Sequence, residues 1–163
     1  MILLVHMLFG AAIGSAVKNV PLAIILAFLG HYFLDIFPHI EYLKSTQESI
    51  QKIKSGKWQK YLPDILKVFL DFFLGVLAIF IFSNPPYASG VFGRPIIYLC
   101  AFIALIPDGL TVVSSLFYNK LLLKHDQIHK KIHYLTKQKK FPKFWKIFTQ
   151  ILAVIISVIL LKY

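Results

Sequence analysis

The sequence predicts an all-α membrane bundle of about five apolar helices, and three observations carry that expectation. First, 58% of the 163 residues are hydrophobic, which takes the chain out of the soluble globular range. Second, the apolar residues gather in runs at 2–17, 20–37, 65–82, 95–118 and 144–161, each near the length needed to cross or dip into a hydrocarbon core about 30 Å thick. Third, the 18 Lys and Arg, against 7 Asp and Glu, cluster between those runs, as the positive-inside rule expects of a membrane protein. Residues 1–163 have the length of one domain and are read as a single membrane domain.

The first two runs are separated by little more than Lys18 and Asn19. They are short for complete spans, so a tight hairpin that tilts or dips into the bilayer is expected. Gly10 and Gly14 stand at a GxxxG spacing, which lets helices approach closely. The first run ends in small residues, as a signal peptide does, but it lacks a basic n-region and His6 interrupts it, so it is kept as the first helix. The fifth run carries no charge between Lys146 and Lys162 and is the plainest span. Cys100 is the single cysteine, inside an apolar run; it reads as a buried structural thiol and excludes a disulfide framework.

The connections set the orientation. Loop 40–62 carries Lys44, Lys52, Lys54, Lys57 and Lys60, and loop 119–143 carries Lys120, Lys124, Lys130, Lys131, Lys137, Lys139, Lys140 and Lys143. Residues 83–94 read SNPPYASGVFGR, a Pro/Gly turn with one basic residue. Both lysine-rich loops are therefore expected in the cytoplasm and the turn outside the inner membrane, with the N-terminus inside and the C-terminus outside if all five runs cross. The net charge of +11 is accounted for by topology and by anionic headgroups, which makes membrane lipids the expected partners and argues against nucleic acid. Trp58 and Trp145 near segment ends read as interfacial anchors rather than a base-stacking platform.

Against this background the ionisable residues inside the apolar runs are conspicuous, because each costs about 2.5 to 3.5 kcal/mol at the bilayer centre on insertion scales. GHYFLDIFPHIEY places His31, Asp35 and His39 at four-residue intervals. On a helix the first two share a face, and Pro38 ends or bends the helix so that the third can fold in beside them. With alternating helices, His6 lies at the same membrane face, Asp64 and Asp71 open the third run from it, Asp108 lies inside the fourth, and His125, His129 and His133 follow. All six histidines thus converge on one face, expected to be the cytoplasmic one.

Imidazole with carboxylate suits zinc foremost, with manganese and iron also compatible, and a site holding several of each suits two or three ions. The candidate ligands are His6, His31, Asp35, His39, Asp71, Asp108, His125 and His129, with Asp35 and Asp108 also the candidate catalytic groups. No Ser, Cys or Thr stands in a nucleophile motif, so the expected nucleophile is metal-activated water. Plainer readings stand beside these. His31 and Asp35 could be a buried polar pair, Asp108 in IPDG a helix cap after Pro107, and Asp64 a helix start. KHDQIHKKIHY sets His125, His129 and His133 on one stripe, of which His125 and His129 are taken as ligands and His133 is not, yet a basic interfacial helix accounts for the same pattern.

The stretch GAAIGSAVKNVPLAIILAFLGHYFLDIFPHIEY, with His6 upstream, resembles the N-terminal part of the YdjM-like group of integral-membrane metal-dependent hydrolases. That group is in turn similar to zinc-dependent phospholipases C and single-strand nucleases, in which an HxxxD helix followed by another histidine holds metal. The resemblance implies metal binding by His31 and Asp35, and by His39 and His6, and a hydrolase of phosphoesters such as a phospholipid or lipid-linked phosphate. It covers roughly the first quarter of the chain. Two other classes stay open at this point: a divalent-cation or proton transporter, and a non-catalytic membrane protein with a structural metal.

Overall fold

The computed structural model describes residues 2–40, 62–83, 93–137 and 141–162. Among them are seven helices and no strand: α1 Leu3–Ala16, α2 Val20–Asp35, α3 Leu62–Phe82, α4 Gly93–Ile103, α5 Ile106–Leu116, α6 Lys120–Lys137 and α7 Lys143–Lys162. The expected all-helical architecture is what the chain adopts.

Local chemistry accounts for the helix boundaries. Asn19 caps α2, its side chain accepting the Leu22 N–H at 3.0 Å, and Pro21 follows in the first turn, where a missing N–H costs nothing. The helix stops at Asp35, three residues before Pro38, because the residue ahead of a proline is pushed out of the helical region. In α3 the acid of the first turn is Asp64, whose carboxylate pairs with Lys67 at 3.0 Å. This is the helix-start reading of Asp64.

α1 forms the axis of the molecule: α2, α3, α4 and α7 all pack against it, while α5 and α6 pair with each other beside α2. A helix apolar on all sides must be buried on all sides. Val5, Met7, Leu8, Ala11 and Ala12 are indeed closed off, and Met7, Leu8, Ala11 and Ala12 join Ile79 of α3, Ile97 and Ala101 of α4 and Leu161 of α7 in one core cluster. Gly10 and Gly14 line the contact with α4. A Cβ on Gly14 would lie 2.8 Å from the Ile96 carbonyl oxygen and 3.0 Å from the Cys100 Cβ.

Among the described residues the five expected spans reduce to two or three. α3 and α7, with 21 and 20 residues, are long and apolar enough to cross a membrane, and α4 with α5 makes a third only if the pair, bent by 45°, counts as one span. α1 and α2 have 14 and 16 residues, hence lengths of about 21 and 24 Å, short of a core of about 30 Å. Their apolar composition has a different origin for α1, which is sheathed by protein. The outer faces of α3 and α7 suit lipid: Leu66, Phe69, Leu70, Phe73, Phe80 and Ile81 of α3 are each more than half exposed, an apolar surface far beyond what a water-soluble monomer presents.

One further expectation is corrected. Run 95–118 is not one helix. Pro107 has no N–H to continue the ladder, and Ala104 and Leu105 form a turn between α4 and α5. The helix expected around His125, His129 and His133 within loop 119–143 is α6, with Lys120, Lys124, Lys130 and Lys131 exposed along it. The lysines of 41–61 and most of the expected outer turn, 84–92, lie outside the described residues.

Candidate metal centre

Asp35 is the point on which α1, α6 and the turn after α2 converge, and its side chain is fully buried. The i, i+4 spacing on α2 brings His31 Nε2 to 3.1 Å from Asp35 Oδ2. Beyond the end of α2 the chain turns through Pro38 and returns His39, whose Nε2 stands 3.9 Å from Asp35 Oδ1. α7 holds that turn from outside: the Thr149 hydroxyl donates to the Pro38 carbonyl, and Gln150 Nε2 donates to the Ile40 carbonyl at 3.3 Å. α1 contributes His6, with Nε2 3.4 Å from Asp35 Oδ1 and its ring stacked on His31 at 4.1 Å between centroids. α6 contributes His129 and His133, with Nε2 atoms 3.2 and 3.0 Å from Asp35 Oδ2. Asp108, in the first turn of α5, places Oδ1 3.7 Å from His31 Nε2 and 3.6 Å from His129 Nε2.

The outward nitrogens of three of these rings explain their orientation. His31 Nδ1 lies 2.8 Å from the carbonyl oxygen of Ala104, in the break between α4 and α5. A carbonyl can only accept, so Nδ1 carries the proton. His39 Nδ1 donates in the same way to the Phe37 carbonyl at 2.7 Å. His129 Nδ1 meets Thr111 Oγ1 at 3.0 Å, and Thr111 in turn donates its hydroxyl proton to the Pro107 carbonyl at 3.2 Å, so His129 also donates. In the neutral form each ring therefore turns an Nε2 lone pair toward Asp35.

His31 Nε2 and His129 Nε2 are only 3.1 Å apart. Two lone pairs at that distance repel unless a proton or a metal ion lies between them. Histidine ligands whose second nitrogen is fixed by a carbonyl or hydroxyl oxygen are the usual arrangement around protein-bound metals.

Three overlapping groups have ligand atoms within 4.8 Å of one another and could hold a metal ion: His6, His31 and Asp108; His31, Asp35 and His129; and Asp35, His39 and His133. Nitrogen and carboxylate oxygen together suit a divalent transition metal such as zinc, manganese or iron. The array is closed on most sides, with His6, His31 and Asp35 at 1% exposure or less, but the Asp108 side chain is 36% exposed. That side is its opening.

Of the sequence-derived candidates, the fold brings together His6, His31, Asp35, His39, Asp108 and His129. Two lie elsewhere. Asp71 Oδ2 accepts the Leu4 N–H at 3.4 Å, which serves one of the donors left over in the first turn of α1. His125 Nε2 is 2.6 Å from the Tyr32 hydroxyl, outside all three groups. Burial, and then the neighbouring His129 ring, lowers the His125 pKa below the ordinary histidine value. His133 takes the place expected of His125.

Thr111, Tyr32, Thr149 and Gln150 form the surrounding polar shell and carried no motif. Their only sequence signal is polarity, or a phenol, within an apolar run. Thr111→Val keeps the shape and removes the acceptor for His129 Nδ1. Loss of such an outer contact typically lowers metal affinity 10- to 100-fold. Competition with a chromophoric chelator measures this, and an unchanged affinity excludes a positioning role for Thr111.

Compared with protein-family models, with curated proteins and with solved structures, the chain has no significant match.

Proposed function

We propose that this protein is a membrane-bound, metal-dependent hydrolase of phosphoesters, acting on a phospholipid or lipid-linked phosphate. The observation that carries this reading is the set of three histidines whose Nδ1 protons are spent on oxygen atoms, so that their Nε2 lone pairs meet around one buried carboxylate. The resemblance of the N-terminal stretch to the YdjM-like hydrolases agrees with it.

A ring nitrogen has one lone pair and so serves one ion, whereas a carboxylate can bridge two. His31, His129 and Asp108 with Asp35 would hold a first ion, and His39 and His133, again with Asp35, a second. His6, stacked on His31, completes the first shell or supports a third. Zinc fits this donor set best. Divalent ions so held supply polarisation of a phosphoryl oxygen and activation of a water near neutral pH.

The residues of the chain supply the rest. Asp108, whose side chain is the more exposed of the two acids, would accept a proton from such a water, and Asp35 would balance the charge of the centre. Exposed Lys120, Lys124, Lys130 and Lys131 on α6 would draw an anionic headgroup to that side, with the centre at the cytoplasmic face of the inner membrane.

The test is metal content by elemental mass spectrometry on detergent-purified protein, joined to phosphate release from phospholipids and lipid monophosphates in mixed micelles. Two or more ions per chain with metal-dependent release are expected. A protein that stays metal-free after supplementation, or binds stoichiometric metal and cleaves none of these esters, refutes the reading. Metal-dependent flux in liposomes without turnover would point to the transporter class instead.

A further inference from the structure

Tyr32 and His125 stand beside the metal groups without belonging to them. The Tyr32 ring is edge-on to both central histidines, with centroids 5.6 Å from His31 and 5.8 Å from His129 at interplanar angles of 81° and 82°. Its hydroxyl is 2.6 Å from His125 Nε2, and both residues are part-exposed. Counting protons in this pair leaves one unspent. If the phenol donates to Nε2, the His125 proton sits on Nδ1, a buried atom with no hydrogen-bond partner among the described residues. If Nε2–H donates to the phenol oxygen, the Tyr32 O–H is the one left over. Either way a donor lacks its acceptor.

With the proton on Nδ1 that donor is buried, which costs free energy comparable to a lost hydrogen bond, so the position calls for an acceptor. Next to a centre of divalent cations the acceptor that gains most is an anionic oxygen, because charge-assisted hydrogen bonds are about twice as strong as neutral ones. Resting on the hydrolase reading above, we propose that Tyr32 and His125 form an oxyanion subsite that holds a phosphoryl oxygen of the bound ester beside the metal ions. The subsite accounts for the one histidine of the α6 stripe that the metal groups do not use. It also gives α2 two tasks one residue apart, ligation by His31 and substrate contact by Tyr32.

The probe is inorganic phosphate, titrated calorimetrically into zinc-loaded, detergent-solubilised protein, with metal content measured on every sample. Wild type binds phosphate. Tyr32→Phe keeps its metal and weakens phosphate roughly ten- to hundredfold, the scale of a hydrogen bond to a charged group. His125→Ala weakens it similarly, and the double variant is little worse than either, since the pair acts as a unit.

Unchanged phosphate affinity in Tyr32→Phe overturns the subsite while leaving the hydrolase reading intact. Loss of an ion from either variant overturns it as well, by making the pair part of the metal centre. If fully loaded wild type neither binds phosphate nor cleaves any ester, the hydrolase reading itself falls and the subsite with it.

Discussion

Asp35→Asn is expected to strip the protein of all tightly bound metal while leaving its helices assembled. The amide has the volume of the carboxylate but no charge. Its single carbonyl oxygen is a poor ligand for a transition metal, and its NH2 turns donor protons toward the centre. Asp35 is shared by two of the three groups, those completed by His31 and His129 and by His39 and His133, so one substitution disables both. The remaining group of His6, His31 and Asp108 keeps a single carboxylate, itself 36% exposed.

Elemental analysis of Asp35→Asn beside wild type is the measurement, with size-exclusion chromatography and far-ultraviolet circular dichroism as the control for folding. Zinc content should fall to background and hydrolysis with it. Full retention of metal in a folded Asp35→Asn protein would show that the convergence on Asp35 is a packing device. His31→Ala is the complementary variant: it removes a ligand atom from two of the groups and also releases the Ala104 carbonyl.

How much of this site the sequence discloses follows the range of each interaction. His31 and Asp35 are legible because four residues of helix set them on one face, and His39 because Pro38 has a local steric effect. His129 and His133 reach the same carboxylate from 94 and 98 residues away, and nothing in their spacing says which end of the stripe does so. His125 reads as a candidate beside His129 and is the one whose Nε2 faces the Tyr32 hydroxyl. Asp71 looks like a ligand by composition. Only the three-dimensional register of α3 against α1 shows its carboxylate at the Leu4 N–H.

The number of spans is hidden in the sequence for a related reason. An apolar run reads the same whether its surroundings are lipid tails or protein side chains, so α1 resembles a span although it is the core of the bundle. The clue it does carry is small size: Gly10, Ala11, Ala12 and Gly14 are all buried, as suits a helix that other helices approach closely. Proline is tolerated in membrane helices, so Pro107 in IPDG leaves two sequence readings open, a continuous run and a helix restarted after it. Yet that break leaves the Ala104 carbonyl for His31.

The α1–α4 contact is therefore expected to govern both stability and metal affinity, and glycine substitutions separate it from other contacts. A Cβ on Gly10 would meet the Cys100 carbonyl oxygen at 2.5 Å and the Ala104 Cβ at 2.7 Å. These are fixed to the facing backbone and cannot rotate away, so Gly10→Ala forces the two helices apart at a cost of about 1–3 kcal/mol, the usual range for overpacking. The displaced segment includes Ala104, whose carbonyl holds His31 in its ligating tautomer, so zinc affinity should fall together with the thermal midpoint. Gly75→Ala meets Met7 Sδ at 2.7 Å, but a thioether on a flexible chain can move aside, and a smaller loss with normal metal binding is expected. Gly109→Ala has nothing within 4 Å and lies inside α5, where alanine exceeds glycine in helix preference by up to about 1 kcal/mol; it should match or exceed wild type. Thermal unfolding followed by tryptophan fluorescence, with chelator competition for zinc, ranks the three. A Gly10→Ala protein as stable and as zinc-avid as Gly109→Ala would mean that α4 does not lie against α1 at this distance, and that the anchoring of His31 by Ala104 must be abandoned with it.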